Sequence, residues 1–528
     1  MRHFRLADRD LGTLGAGRPS PGTLGELRKA QLSRHLLLLS EILRAETPQW
    51  YATSPSRTIL ADPATGLYAA TAIATMRSGG RPPDRPVLVG TAPVVTVTCD
   101  DLTLRVRLED ADPLRDRLGL PPTGRLSPAE VAHWERLLSE SWQLLVRRHR
   151  PAAEILSEVL RVIVPVQPDP AAHGISATSA HAYGAMAMSA PTDPVSLAVG
   201  LLHETAHSLL NATTLLFDLV RPSRTLGYSP WRDDPRPASG VLHGAYAYLA
   251  VARFWRTEAA LDGSRPAQFE FARWRAAVAA AADSLLAGDG VLTAAGRRFV
   301  GALRDEVGQW LEEPVDGDVV RLAEGANLDH RVRWRLRSLR VSEASTRALV
   351  DAWQHGRPPP DLPEPEVVAG VRRLEVSGRL GLVHEWLRAS DLGEEGGEET
   401  GEEAGDQAGD QAGDQAGDEA GEEAGDEAGA GPRRDGAQGD QRLPAGGGVR
   451  PGDVAWLGGE YGTGQDAYVS ALENAGVRAS PSEIDAALAG LALVSGRAAL
   501  RERPEVVRAV WAALWPRPAL DALLEWLS

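Results

Sequence analysis

The sequence predicts an α+β protein that is predominantly helical, in which a small sheet precedes one unusually apolar helix and a separate small helical module follows. Three observations lead to this prediction. Apolar residues recur at helical spacing over most of the chain, short regions have strand-like sequences, and an acidic low-complexity segment separates residues 451–528 from the rest. We therefore expect two folded regions joined by a linker.

The first half of the chain is expected to be helical, then β-rich. Residues 1–80 are predicted to be mainly helical, because the leucines of QLSRHLLLLSEIL recur near helical spacing. Residues 86–110 alternate apolar and polar side chains, which predicts a hairpin that turns at Asp100 and Asp101. Two further strands are expected in RVIVPVQP and SAHAYGAMAMSAP, directly before the apolar helix. Residues 240–385 return to helical patterns rich in alanine, leucine and tryptophan.

The net charge of -16 is located in a single segment. Residues 391–440 contain 18 acidic residues and two arginines, so the rest of the chain is neutral. The repeat AGDQAGDQAGDQAGDE has no apolar side chain larger than alanine, and such a segment cannot bury enough surface to fold. We predict a disordered, glycine-rich linker over 391–450, a folded region over 1–390 and a helical module over 451–528. Because the folded parts are neutral, we expect no nucleic-acid partner.

Cysteine content and hydropathy bear on the compartment. Cys99 is the sole cysteine, so neither a disulfide nor a thiolate zinc site can be built from this chain. The N-terminal residues MRHFRLADRD lack the apolar core of a secretory signal, and no apolar run reaches the ~20 residues that span a bilayer. We expect a cytoplasmic protein without a membrane partner, in which any metal is held by histidine, carboxylate or water.

The segment LLHETAHSLL places three ionisable side chains in an apolar helical run within a predicted core over 160–260. His203 and His207 are four residues apart, so both project from one face of the helix, as two ligands of one ion require. Glu204 lies about 100° round the helix, beside that face. This is the HExxH pattern, in which the glutamate commonly polarises a metal-bound water, and Asp193 is placed to cap the helix. The alternative is a core helix with hydrogen-bonded histidines and a surface glutamate.

A metal site needs at least a third ligand, and two candidates lie downstream. His243 lies in GVLHGAYAYLAVARFW, and Glu258 begins the EAALD pattern from which gluzincins take a glutamate. If that stretch is one helix, the two residues are about 22 Å apart along it, so they cannot bind the same ion. The metzincin continuation HExxHxxGxxH is excluded, because here the chain reads HETAHSLLNAT.

HETAH, followed by YSPWRDDPRPASGVLHGAYAY, resembles bacterial HExxH-motif proteins of peptide natural-product clusters, described as α-ketoglutarate-dependent peptide β-hydroxylases. The resemblance extends over most of the first 260 residues and is sharpest between His203 and Trp255. It implies a cytoplasmic iron(II) enzyme that uses α-ketoglutarate and dioxygen to hydroxylate the β-carbon of a residue in a ribosomally synthesised precursor peptide. It also implies that His203, His207 and His243 are the metal ligands, with Glu204 as a ligand, a base or an orienting group.

A 2-oxoacid cosubstrate usually pairs its distal carboxylate with an arginine in bidentate geometry. Arg232 and Arg236, in PWRDDPRP, are the nearest candidates for binding α-ketoglutarate, and Tyr228 can add a hydroxyl contact. The competing interpretation is that both arginines are exposed loop residues. In the strand predicted before the apolar helix, His181 and Tyr183 are candidates for lining a peptide groove, with ordinary strand surface as the alternative.

Two other functions remain open. A cytoplasmic zinc peptidase would use Glu204 as general base, with His243 or Glu258 as the third zinc ligand. A peptide-binding protein without catalytic activity would hold a structural metal, and residues 451–528 would recruit a protein partner.

The C-terminal module is expected to consist of short apolar helices. Ser480, Pro481 and Glu483 form a capping-box pattern at the start of SPSEIDAALAGLALV. PEVVRAVWAALW and PALDALLEWL follow, and the tryptophans at 511, 515 and 526 are expected in the core of the module, with a partner-binding stripe as the alternative.

Overall fold

A computed structural model of the protein has the predicted α+β, mostly helical architecture. The structure describes residues 6–45, 60–83, 92–169, 174–370, 377–395, 413–414, 450–474 and 480–528. The helices described are α1 (Asp8–Gly15), α2 (Pro21–Ala45), α3 (Pro63–Arg77), α4 (Pro128–Arg148), α5 (Arg150–Val159), α6 (Pro194–Thr214), α7 (Ala238–Asp262), α8 (Arg265–Ala287), α9 (Ala294–Gly308), α10 (Gly317–Ser338), α11 (Glu343–Gln354), α12 (Gly378–Glu395), α13 (Pro451–Leu457), α14 (Tyr461–Asn474), α15 (Pro481–Val494), α16 (Ala498–Glu502), α17 (Pro504–Ala513) and α18 (Leu520–Leu527). The strands described are β1 (Val94–Cys99), β2 (Leu102–Leu108), β3 (Val162–Pro165), β4 (Ile175–Thr178), β5 (Ala185–Met188), β6 (Leu226–Gly227), β7 (Arg236–Pro237), β8 (Leu339–Arg340), β9 (Glu366–Val367) and β10 (Gly413–Asp414).

The main sheet is mixed, with the strand order β1-β2-β3-β5-β4-β10. β1 and β2 form the predicted antiparallel hairpin, which closes at the pair of Cys99 and Leu102. Asp100, at the turn, has a positive φ of 50°, a conformation that aspartate tolerates better than most side chains. β3 is parallel to both β2 and β5, whereas β4 is antiparallel to β5.

The central strands of this sheet are buried on both faces. One face of β3 and β5 packs through Ile163 and Met186 into the cluster formed with α4, α5 and α6. The opposite face packs Val164 and Ala187 with Leu67 of α3. Strands covered on both faces favour continuous apolar runs, which is the pattern of VIVP and AMAM. The sheet therefore gives α6 a buried surface to lie against.

The strand prediction before α6 is partly wrong. RVIVPVQP contains β3, but SAHAYGAMAMSAP contains only β5, and the pattern does not predict β4. His181 and Tyr183 lie in the turn between β4 and β5, not in a strand. The physical reason is Gly184, whose φ of 83° places a turn directly before β5, so the strand begins only at Ala185.

α6 is buried over most of its length. It begins as predicted, because Asp193 Oδ1 accepts hydrogen bonds from the backbone N–H groups of Val195 (2.8 Å) and Ser196 (2.9 Å). Every residue from Leu197 to Leu210 is buried, and α7 packs along it. Even so, among the described parts of the chain no helix combines the length and the hydropathy that crossing a bilayer requires.

The C-terminal helices α13 to α18 form the predicted helical region and pack on the preceding part of the chain. Ser480 caps α15 as expected, and its Oγ accepts a hydrogen bond from the backbone N–H of Glu483 at 3.3 Å. Val332 and Leu336 of α10 and Leu349 of α11 belong to the same buried cluster as the apolar side chains of α14, α15, α17 and α18. The C-terminal region thus shares its hydrophobic core with α10 and α11.

The three C-terminal tryptophans differ in burial. Trp511 is buried in the shared core, and Trp526 lies at its edge, with its ring centroid 5.3 Å from that of Trp353. Trp515 is 79% exposed, so its predicted core position is wrong. It lies in the connection after α17, outside any helix, so helical periodicity does not direct its side chain toward the core. The protein partner expected for this module stays a prediction.

The predicted linker falls mostly outside the described residues. α12 continues to Glu395 and overlaps the predicted start of the linker. Gly413 and Asp414 form β10, which pairs parallel with β4. Residues 396–412 and 415–449 lie outside the described residues, so disorder there stays a prediction.

Candidate metal centre

His203 and His207 lie together on the face of α6 near β4 and α7. Their Nε2 atoms are 3.1 Å apart, and the ring centroids are separated by 4.7 Å. Both side chains are buried. Two imidazole nitrogens at this separation fit two positions around one metal ion, since zinc and iron bind histidine nitrogen at about 2.0–2.1 Å.

Glu204 is fully buried beside this pair, which contradicts the alternative of a surface glutamate. Ser176 of β4 donates a hydrogen bond from Oγ to Glu204 Oε1 at 2.7 Å. One donor atom each from His203, Glu204 and His207 lies within 4.8 Å of the others. The sheet therefore holds the carboxylate next to the imidazoles, as a ligand or a base would require.

The residues present fit a divalent metal ion. Two imidazoles and one carboxylate, buried together, are the donor set of non-haem iron oxygenases, and imidazole suits zinc equally well. Burying three such groups in an otherwise apolar helix is costly, and a bound cation offsets part of that cost. His203, His207 and Glu204 would hold the ion.

His243 lies next to the pair, at the start of α7. Its Nδ1 is 3.4 Å from His207 Nδ1, and the two rings stack with centroids 5.5 Å apart. His207 thus turns Nε2 toward His203 and Nδ1 toward His243. The three predicted imidazoles are brought together, with His207 between the other two; the role of His243 as a ligand stays a prediction.

Glu258, the alternative third ligand, lies elsewhere. It accepts hydrogen bonds from Arg148 (2.6 Å) and His149 (2.7 Å). Burial alone would raise the pKa of Glu258, but the hydrogen bonds from His149 and Arg148 lower it below its ordinary value. Since His243 and Glu258 are on one continuous helix, about 22 Å of helix separates them, and Glu258 does not belong to this centre.

Aromatic side chains enclose the centre on the α7 side, and sequence reasoning did not find them. Tyr248 meets His203 edge to face, with centroids 5.3 Å apart. Trp231 stacks on Tyr248 at 5.2 Å, and Trp274 of α8 packs on its ring at 4.2 Å. The one signal in the sequence is Gly244, next to His243: a Cβ there would lie 1.9 Å from Trp231 Nε1.

Replacing Gly244 with alanine is expected to displace Trp231 and disturb the aromatic packing behind His203. We expect a loss of about 1–3 kcal/mol in the free energy of unfolding, together with weaker metal binding. Chemical denaturation and metal titration would measure both effects. Gly301→Ala is the matched control, because that helical glycine has nothing within 4 Å of an added Cβ. Equal effects of the two substitutions would refute the close approach of Trp231.

Arg232 and Arg236, the predicted α-ketoglutarate-binding residues, both approach the carboxylate of Asp234. Arg232 is buried and donates from Nε (3.0 Å) and Nη2 (2.9 Å) to Asp234 Oδ1. Arg236 Nη1 lies 3.5 Å from Asp234 Oδ2. Neither arginine is an exposed loop residue, so that interpretation is wrong. Whether they bind α-ketoglutarate stays a prediction.

Tyr228 makes its described contact with α10. Its hydroxyl is 2.8 Å from His330 Nδ1, and His330 Nε2 lies 3.6 Å from Asp233 Oδ1. Asp233 also pairs with Arg337 at 2.5 Å. The loop before α7 is therefore tied to α10 by buried polar contacts.

His181 and Tyr183, the predicted groove residues, lie beside α2 and α5 rather than at the metal centre. Arg34 of α2 contacts His181 Nδ1. Burial, and then the charge of Arg34, lower the pKa of His181 to about 4, so this side chain is neutral at pH 7. Burial raises the pKa of Tyr183 above its ordinary value. A peptide groove at these residues stays a prediction.

Comparison with known proteins adds no assignment. No protein-family model matches the chain, and no curated protein matches it significantly.

Proposed function

We propose that the protein is a cytoplasmic iron(II)- and α-ketoglutarate-dependent oxygenase that hydroxylates the β-carbon of a residue in a ribosomally synthesised precursor peptide. The observation that carries this proposal is the buried cluster of His203, Glu204 and His207, with His243 beside it. Two imidazoles and a carboxylate are the donor types of non-haem iron(II) oxygenases. The resemblance of HETAH and the downstream residues to peptide β-hydroxylases supports the same reaction.

The metal, when bound with its cosubstrate and dioxygen, supplies the oxidising power for a C–H bond; the protein supplies position and environment. In this proposal His203 and His207 hold the ion, and His243, next to His207, is the further imidazole that the resemblance assigns to the metal. Ser176 fixes one oxygen of Glu204, which keeps the carboxylate aimed at the imidazoles. Tyr248 covers the ring of His203, and Trp231 stacks on Tyr248, so aromatic surface excludes water from that side.

The anchor for the cosubstrate is proposed at Arg232 and Arg236. The two guanidinium groups converge on Asp234, so the site attracts a further carboxylate. Both guanidinium groups are candidates for bidentate pairing with the distal carboxylate of α-ketoglutarate.

Room for a substrate side chain exists beside His243. A cavity of about 150 Å³ is lined there by apolar side chains that include Leu210, Phe217 and Leu242. A cavity of this size accepts one side chain of a peptide, not a folded protein.

The test is to measure whether succinate and hydroxylated peptide are formed together in equal amounts. Protein loaded with iron(II) and given α-ketoglutarate, dioxygen and a candidate precursor peptide is expected to form succinate and a peptide heavier by one oxygen. His243→Ala is expected to lower succinate formation by more than the about 10- to 100-fold typical of residues that only orient a ligand. His355→Ala, at an exposed histidine, is the control.

A zinc peptidase is the second candidate, favoured by the burial of Glu204 beside two imidazoles, which also suits a general base. Peptide cleavage by the zinc-loaded protein, without succinate from the iron-loaded protein, would replace the oxygenase proposal with this one.

A further inference from the structure

A second cavity lies behind α6, on the side away from the metal centre. It has a volume of about 860 Å³ and is bounded by α5, α6, α7, the end of α4 and the loop between α1 and α2. We call it the back cavity. α6 contributes Leu202, Thr205, Ala206 and Leu209 to its wall, whereas His203, Glu204 and His207 do not line it. Nothing that binds there would touch the proposed metal ligands.

The floor of the back cavity is apolar. Leu24, Leu202, Leu209, Leu249 and Phe254 line it, and all five side chains are buried. The volume is within the range of about 300–1,000 Å³ typical of small-molecule sites, which are mostly apolar with a few placed polar groups. The cavity is thus built for a ligand with a hydrocarbon body.

Two residues on one face of α7 that line the same cavity carry buried hydrogen-bond donors. Tyr246 is 2% exposed, and its hydroxyl has no hydrogen-bond partner among the residues that the structure describes. Arg253 Nε is also buried and has no hydrogen-bond partner among the described residues. The two residues are seven apart, so they project from the same side of α7 about two turns apart. Buried donors without acceptors are destabilising, and a ligand that supplies an acceptor oxygen removes that penalty.

The charges near Arg253 favour an anionic acceptor. Arg253 and Arg18 both pair with Glu306, at 3.2 Å and 2.5 Å, so two guanidinium groups share one carboxylate. Both arginines line the back cavity. Burial raises the pKa of Tyr246 above its ordinary value, so its hydroxyl remains a donor at neutral pH. A second carboxylate between Tyr246 and Arg253 would balance the local charge.

We propose that the back cavity binds a long-chain carboxylate, with its hydrocarbon chain on the leucine floor and its carboxylate oxygens accepting hydrogen bonds from Tyr246 and Arg253. This site is separate from the metal centre and does not depend on the function proposed for it.

Dodecanoate is the probe, and calorimetric titration of the full-length protein measures its affinity. We expect saturable binding with one site, much weaker binding of dodecanol, which lacks the carboxylate, and none of acetate, which lacks the chain. Tyr246→Phe is expected to lower the affinity about tenfold while leaving the melting temperature of the ligand-free protein unchanged or higher, because the lost hydroxyl had no partner to leave behind. Tyr461→Phe, at an exposed tyrosine, is expected to change neither.

Two further measurements keep the proposal falsifiable. His207→Ala is expected to bind dodecanoate as the wild type does; loss of binding would place the carboxylate at the metal centre instead. Ala250→Trp, at the wall, is expected to block the cavity. Failure of the wild type to bind dodecanoate would overturn the proposal, and so would a Tyr246→Phe variant that melts lower and binds with unchanged affinity.

Discussion

Replacing His207 with alanine is expected to abolish binding of iron(II) and zinc(II). The Nε2 atoms of His203 and His207 are 3.1 Å apart, and His243 approaches His207, so removal of the His207 ring takes away the central imidazole of the cluster. A ligand that binds only the folded state stabilises it by about 4 kcal/mol at 1,000 times its Kd. The wild type should therefore melt higher with metal than without, whereas His207→Ala should show no metal-dependent shift.

Metal content after dialysis, with melting curves at several metal concentrations, would measure this effect. His355→Ala is the matched control, since that histidine is exposed and pairs only locally with Asp351. Ser176→Ala should weaken binding far less than His207→Ala, because Ser176 orients Glu204 without reaching the ion. Retention of one tightly bound metal per chain by His207→Ala would refute the proposed centre.

Replacing Arg379 with leucine is expected to destabilise the protein strongly. Arg379 pairs with Asp329 of α10 and, at 2.9 Å, with Asp453 of α13, and all three side chains are buried. Without the guanidinium, two carboxylates are left in the interior, which costs about 3–5 kcal/mol. Chemical denaturation at pH 7 would measure the loss.

The effect of Arg379→Leu should depend on pH. Burial alone would raise the pKa of Asp329, but Arg379 and then Arg333 lower it below its ordinary value, so the wild type loses stability as the pH falls through that lowered pKa. In the variant the burial effect is less opposed, the carboxyl takes up a proton more readily, and the difference from the wild type should shrink in acid. Arg347→Leu is the control, because this arginine is exposed and its only described ion pair spans 4.0 Å. If the difference in the free energy of unfolding between the wild type and Arg379→Leu grew as the pH fell, the proposed stabilisation of Asp329 by Arg379 would be contradicted.

Local sequence signals predicted the elements that depend on near neighbours. The cap at Asp193, the capping box at Ser480 and the hairpin at Asp100 are all present, because each is decided within a few residues. β4 was missed because ISAT is short and owes its extended form to pairing with β5, not to its own composition. Gly184 marked a turn directly before β5, a signal that the strand prediction overlooked.

In the candidate site, too, the residues related by local spacing were predictable and those brought together by packing were not. His203 and His207 are predictable as a pair because helical geometry alone brings residues four apart together. The position of Ser176 under Glu204 depends on how the sheet packs on α6, and no spacing rule reveals it. Likewise, the sequence marks Arg232 and Arg236 as candidates but cannot show that both meet Asp234.

The core shared by α10 and the C-terminal helices has a consequence for the order of synthesis. A ribosome completes α10 more than a hundred residues before it delivers the helices that cover Val332 and Leu336. During that interval an apolar stripe on the nascent chain faces water. Once α11 and α12 have been synthesised, the next sequence to emerge is the acidic repeats. Their like charges repel other nascent chains, so this segment can delay aggregation until the covering helices arrive.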